Sequence, residues 1–242
     1  GLATALSLAA LGAKITVLAR SEKKLRPILP RLLETGAPQA WAFEADLRDT
    51  DALKGLGVEH LERYGEIQIL INNCGGPPSG PILEAKEEDF LEAFRGHILA
   101  SHILMRLVLP GMKAAGYGRL INIISTSVKE PIPGLGVSNT IRAAMAGWAK
   151  SVSQELPPGI TMNNILPGYT ATARLGALKE SVAKRRGVPT EQIEHELLTA
   201  IPEGSFAQPE EISAVVAFLA LPNAGYIRGV SLPVDGGRMR SI

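Results

Sequence analysis

Cysteine is nearly absent from this sequence. Cys74 is the only one in 242 residues, so no intrachain disulfide can form and no cysteine-based metal cluster can be built. That usage suits a reducing, cytoplasmic compartment. Excess charge is missing as well: 25 basic against 24 acidic residues leave a formal net charge of +1. Nothing in that balance draws the chain to nucleic acid or to an anionic membrane. No apolar run approaches the roughly 20 residues that a membrane helix requires. The opening "GLATALSLAALGA" (1–13) has no initiator methionine, no basic n-region and no cleavage site, so it reads as a helix entered midway rather than a secretory signal.

What is present is an ordinary globular composition, 45% hydrophobic and 20% charged, long enough for a sizeable core. After the opening helix, "KITVLAR" (14–20) reads as a short, buried, parallel strand. "SEKKLRPILPRLLETG" is a helix interrupted by proline and ended by Gly36, and "QAWAFEADL" alternates as a strand. "TDALKGLGVEHLERYG" is an amphipathic helix, "IQILINNCGG" a strand entering a glycine turn, and "KEEDFLEAFRGHILASHILMRLVLPGMKAAG" one long helix. "GRLINIIS", the helix opened by "GVSNTIRAAMAGWAK" (136–150), "GITMNNILPG", a helix over 209–221 and "GVSLPVDGG" complete the alternation. Strands and helices in this order predict one α/β domain over 1–242 with a doubly wound parallel sheet in three α/β/α layers. The only long excursion between core elements, 170–205, is a candidate lid. Its Leu175, Leu178, Val182 and Leu198 are available to wall a pocket or to bury against the domain.

Four landmarks stand in order: "NNCGG" ending the strand "IQILINNCGG", "INIIS" on the strand "GRLINIIS", "MNNILPGYTAT" from the strand "GITMNNILPG" onward, and "VDGG" near the end. Together they resemble the short-chain dehydrogenase/reductase family along essentially the whole chain. The resemblance implies a Rossmann sheet, normally of seven strands, that binds NAD(H) or NADP(H). Under it Gly1 matches the last glycine of the phosphate fingerprint, so the first strand and part of that fingerprint are absent from these residues. That strand lies mid-sheet, and its loss would strand backbone groups inside the protein. The expectation is therefore a natural protein longer by on the order of 10–20 residues.

Gly75 and Gly76 follow a buried strand, where glycine permits a tight turn or close approach to a ligand. Pro167–Gly168 makes a similar turn. The resemblance implies cofactor contacts at Gly1, Asp46, Leu47, Asn73, Gly75, Arg142, Pro167, Gly168, Thr170 and Thr172. Asn72, Asn73 and Asp46 match positions that steady the central strand or meet adenine. The residue that selects between cofactors is expected about 20 residues past the glycines. Counting from Gly1 reaches Arg20, followed by Ser21, and a guanidinium fork there favours the 2′-phosphate of NADP(H) over NAD(H).

Catalysis in the family relies on Asn, Ser, Tyr and Lys. The serine falls on Ser125. The tyrosine position holds Ser138, the lysine position one helical turn on holds Arg142, and the asparagine position holds His97. No slip of register restores the pattern, because none of the four tyrosines, Tyr64, Tyr117, Tyr169 and Tyr226, has a lysine four residues later. A serine hydroxyl ionises far less readily than a phenol of pKa ≈ 10, and arginine keeps the charge without giving up a proton. The replacement acid is either His97, which titrates near neutral pH, or Tyr169; His97 can equally be a satisfied helix histidine, and Tyr169 an apolar wall. A hydrolase lacks support, since no G-x-S-x-G elbow exists. Two readings remain: an NADP(H)-dependent, 3-oxoacyl-carrier-protein-reductase-like oxidoreductase acting on a carbonyl or alcohol of a small molecule, or a catalytically inactive dinucleotide-binding or scaffold protein. Small residues Ala143, Ala144, Ala146 and Gly147 permit close helix approach, and the resemblance implies a homodimer or homotetramer.

Overall fold

The computed structural model describes residues 1–241. Six parallel strands form two hydrogen-bonded blocks. In the smaller, β1 (Ile15–Ala19) pairs with β2 (Ala40–Glu44). In the larger, β3 (Ile69–Asn72), β4 (Gly118–Ile123), β5 (Ile160–Pro167) and β6 (Ser231–Val234) lie side by side in that order. Ten α-helices alternate with them among the described residues. Those that matter here are α1 (Leu2–Ala10), α2 (Glu22–Leu25), α3 (Ile28–Thr35), α4 (Thr50–Tyr64), α5 (Glu87–Phe94), α6 (Ala100–Ala115), α7 (Gly136–Glu155), α8 (Ala173–Arg186), α9 (Thr190–Thr199) and α10 (Pro209–Leu219).

Both faces of the sheet are covered, so the strands of the large block are apolar on both sides. Ile121 and Ile165 point to α1, α3 and α10, where they meet Leu8, Leu32, Val216 and Leu219. Leu120 and Met162 point the other way, onto Met105, Val108 and Met112 of α6 and Ala149 of α7. Ile15 of β1 and Ile69 and Ile71 of β3 share the first cluster, so one core spans the two blocks. Helix ends follow local chemistry. Asp49 accepts the Ala52 N–H at 3.0 Å to open α4, and Gly116 closes α6 in the left-handed region at φ 62°.

A row of buried amides crosses the large block just below its carboxyl end. Asn72 Nδ2 donates to Asn122 Oδ1 at 2.8 Å, Asn122 Nδ2 to Asn164 Oδ1 at 2.8 Å, and Asn164 Nδ2 to Ser231 Oγ at 3.0 Å. Strand register puts these residues opposite one another, and each link satisfies a group that burial would otherwise penalise.

Three expectations change. The strand over 14–20 is not fully buried: only Ile15 is, while Thr16 is exposed and Val17 to Ala19 are half-covered, because its block is two strands wide. The long helix over 86–116 is broken by a π-helical turn, Arg95–Leu99, between α5 and α6. The helical run Glu87–Ala115 is also long and apolar enough to cross a membrane, with mean hydropathy 1.3. Met105, Val108 and Met112 on it face the core, while Leu91, Phe94 and Leu99 are exposed.

Candidate active site

A cavity of about 700 Å³ opens at the carboxyl ends of β3, β4 and β5, the end of a doubly wound sheet where ligands bind. Each wall comes from a different element. Gly1 and Thr4 of α1, Asn73, Cys74 and Gly76 after β3, and Ser125 and Thr126 after β4 line one side. Ser138 and Arg142 of α7, the Pro167–Thr170 turn with Thr172, and Arg174, Leu175 and Leu178 of α8 line the other.

Ser125, Ser138 and Arg142, expected at the serine, tyrosine and lysine positions, line the same cavity. Ser125 starts a single 3-10 turn, and its Oγ accepts the Ser127 N–H at 3.1 Å. That leaves the hydroxyl proton of Ser125 free for a ligand. Ser138 and Arg142 share the buried face of α7, and Arg142 Nε donates to Ser138 Oγ at 3.2 Å. Arg142 Nη1 donates to the Ile124 carbonyl at 2.7 Å, tying α7 to the residue before Ser125. Arginine can make both contacts at once because its donors sit in a fixed fork. Burial, then the neighbouring charge of Arg174, pulls the Arg142 guanidinium down to about 10. It stays a cation at neutral pH.

His97 is not where an acid should be. It lies in the π turn, does not line the cavity, and its Nε2 lies 3.1 Å from the Gly75 carbonyl, as donor in the matching tautomer. Burial, followed by the charge of Arg142, pushes its pKa down to about 4. The expectation that it titrates near neutral pH is therefore corrected: two nearby guanidinium groups oppose a third positive charge. Its place is under the β3 turn, which it braces. Tyr169 does line the cavity, with Arg238 stacked on its ring at 4.8 Å and Phe206 at its edge.

At the other end, Gly1, Ala3 and Thr4 bring the first turn of α1 to the cavity wall, and the N–H groups of a helix's first turn suit an anion. Asn73, Pro167, Gly168, Thr170 and Thr172 line the same cavity. Arg20, Ser21, Asp46 and Leu47 do not; they gather at the carboxyl ends of β1 and β2, where Arg20 is exposed. The Arg48 guanidinium bonds both oxygens of Asp46, at 2.7 to 3.1 Å, and holds that carboxyl down at about 2.

The glycine readings need correction. Neither Gly75 nor Gly76 has positive φ, so the turn itself does not demand glycine, and Gly75 does not line the cavity. A Cβ on Gly76 would collide with the Arg174 guanidinium, and one on Gly168 would come within 2.7 Å of Asp235 Cα. Gly76 makes room for an arginine, and Gly168 for the turn after β6. Of the leucines and valine offered for a wall, Leu175 and Leu178 line the cavity, whereas Val182 and Leu198 do not. Arg174 was missed entirely. Its signal was position: a cation in the first turn of a helix opposes the macrodipole, and α8 carries no acid there to offset it.

Comparison with known proteins agrees with this architecture. A family model described as enoyl-(acyl carrier protein) reductase matches residues 1–238. A putative ketoacyl reductase of Streptomyces coelicolor is 30% identical over 240 residues, covering 98% of this chain and 92% of the relative. A 3-oxoacyl-[acyl-carrier-protein] reductase of Synechocystis is 31% identical over 241 residues, covering 98% and 91%. Among solved structures, YwfH, an NADPH-dependent reductase involved in bacilysin biosynthesis, superposes with a TM-score of 0.92 at 28% identity, covering 99% of this chain and 94% of that one. A variant of actinorhodin polyketide ketoreductase with NADPH gives 0.93 at 30% identity, covering 99% and 93%.

Proposed function

The chain belongs to the short-chain dehydrogenase/reductase family, and on that footing we propose that it is an NADP(H)-dependent reductase of a carbonyl substrate, working with an altered set of catalytic residues. The observation that carries this reading is the cluster of Ser125, Ser138 and Arg142 in a cavity that also takes in the first turn of α1. The residues fit a dinucleotide. Gly1 and Thr4 would offer the helix N-terminus to the pyrophosphate, Thr170 and Thr172 would lie beside it, and Arg20 with Ser21 would meet the 2′-phosphate. When bound, the reduced nicotinamide supplies a hydride.

The chain's own residues then manage the charge on the substrate oxygen. Ser125 donates its free hydroxyl proton in a hydrogen bond to the carbonyl oxygen. The Arg142 guanidinium stabilises the negative charge that develops there as the carbonyl carbon is reduced. Ser138, already accepting from Arg142 Nε, offers its own hydroxyl to the same oxygen or to a water beside it. With no phenol in place, the proton that completes the alcohol comes from water in the cavity. Acid–base catalysis contributes about 10²–10⁴-fold, whereas positioning contributes about 7–11 kcal/mol, so this site retains the larger part. The first turns of α8, through Arg174, Leu175 and Leu178, wall the substrate end of the cavity.

The test is a titration of NADPH and NADH into the protein, followed by turnover against a panel of carbonyl compounds. NADPH should bind more tightly than NADH, and Ser125→Ala should cost about 10²-fold in kcat with at least one substrate. Binding without turnover across the panel favours the inactive dinucleotide-binding reading, and no binding of either nucleotide removes both. A homodimer or homotetramer is proposed as well: Ala143, Ala144 and Gly147 are exposed on the outer side of α7, where a second helix can approach closely. Light scattering that returns a monomer ends that part.

A further inference from the structure

The reacting end of the cavity is lined by two cations and no carboxylate. Arg142 is only 7% exposed; its Nε and Nη1 are bonded within the protein, while Nη2 has no protein partner among the described residues. Arg174 reaches in from α8 and rests on the Gly76 and Pro77 carbonyls at 3.2 and 3.4 Å. The two guanidinium groups meet over Gly76, where a Cβ would collide with Arg174 and lie 3.3 Å from Arg142 Nη2. Neither arginine joins an ion pair among the described residues.

Three unfavourable terms coincide here. One cation is buried without a counter-ion, a second stands beside it, and the second also opposes the dipole of its own helix. An anion bound between them relieves all three. The dinucleotide phosphates are not that anion, because their place is the α1 N-terminus beside Gly1 and Thr4, whereas Arg142 is bonded to Ser138 and to the residue before Ser125. The same cavity carries an apolar stretch of wall, Pro77, Ile132, Leu135, Leu175 and Leu178, with Ser79 and Thr172 as neutral polar members. A planar fork beside an apolar wall suits a carboxylate on an apolar body.

We infer that the substrate is an oxo acid, a carbonyl compound whose carboxylate is held between Arg142 and Arg174. This rests on the reductase reading above and narrows it. The carboxylate neutralises the arginine pair and orients the carbonyl towards Ser125, so substrates without it should be poor.

The test uses matched pairs with NADPH: 4-methyl-2-oxopentanoate, 2-oxo-4-phenylbutanoate and 4-oxopentanoate, each against its methyl ester. The acids should be favoured in kcat/KM by about 100-fold, although the 2-oxo esters are intrinsically the more electrophilic carbonyls. Arg174→Gln should cut that preference to below about 10-fold, and Arg174→Lys should restore part of it; NADPH titration of each variant checks that it is folded. Esters turned over as well as the acids, or a preference unmoved in Arg174→Gln, overturns the inference. So does a preference for a ketone phosphate such as dihydroxyacetone phosphate over every oxo acid. If nothing is turned over, calorimetry with 2-hydroxy-4-methylpentanoate and its amide decides separately. Binding of the acid alone, lost in Arg174→Gln, upholds the anion site while the reductase reading fails; equal or absent binding of both overturns the site.

Discussion

The two blocks of the sheet are built to different standards. In the large block β4 and β5 are buried along almost their whole length, covered on both faces and cross-linked by the asparagine row. In the small block β1 and β2 are mostly half-exposed, and the loop after β2 makes surface contacts, Arg48 with Asp46 and with Glu92 of α5. The groups placed at the reaction, Ser125, Ser138 and Arg142, stand on or against the large block. The groups assigned to cofactor choice, Arg20 and Ser21, stand at the tip of the small one. Charge stabilisation demands donors fixed in place, and rigid packing supplies that. Reading a phosphate on an exposed rim asks only for a charge within reach.

Substitutions that probe the contrast should hurt most where the packing is tightest. Asn122→Ala removes both central links of the amide row and leaves Asn72 Nδ2 and Asn164 Oδ1 without those partners. At about 1–3 kcal/mol for each orphaned group, a loss of about 3–5 kcal/mol in denaturant unfolding is expected, and a change below 1 kcal/mol would mean that the row is dispensable.

Acid should expose the same block through His97. Its folded pKa of about 4 lies below the ordinary 6.5, so the unfolded chain binds more protons between those values. Its contribution is fully present above pH 6.5 and is lost as pH falls from there through about 4, a swing of about 3 kcal/mol. His97→Gln should flatten that stretch of the stability–pH curve; an unchanged slope would show that the histidine is protonated in the fold.

Arg20→Ala tests the rim and should leave folding alone. It should weaken NADPH binding by about 10-fold, as expected for one charge-assisted contact, and NADH binding by less than 2-fold or so, measured by fluorescence titration. Equal losses for both nucleotides would remove Arg20 from cofactor selection. The smallest effect belongs to Val17→Ala in β1. With its side chain half-covered, about 1 kcal/mol is at stake, against about 2–5 kcal/mol for Leu166→Ala in the core of the large block.

Much of the site was legible because its spacing is local. Ser138 and Arg142 are one helical turn apart, so their shared face follows from 3.6 residues per turn, and the structure joins them directly. Ser125 and the Pro167–Gly168 turn sit at strand ends, which hydrophobic patterning locates well. His97 was legible as a residue but not as an environment: nothing local says that the helix winds into a π turn there, or that burial, and then the charges of Arg142 and Arg174, lower its pKa. Gly76 read as a turn or a point of ligand approach; it lines the cavity without positive φ, and the space beside it is taken by the Arg174 guanidinium.

By itself, then, the sequence determined the order of strands and helices, the shared helical face of Ser138 and Arg142, and the absence of any tyrosine followed four residues later by a lysine. Those properties depend on residue type and on spacing within one element. Only the tertiary structure decided that Arg142 and Arg174 converge on Gly76, that His97 is driven away from its ordinary titration, and that Asn72, Asn122 and Asn164 form one row. Each of these depends on which distant segments the fold brings within a few ångströms, and electrostatic and hydrogen-bond energies act only at that range.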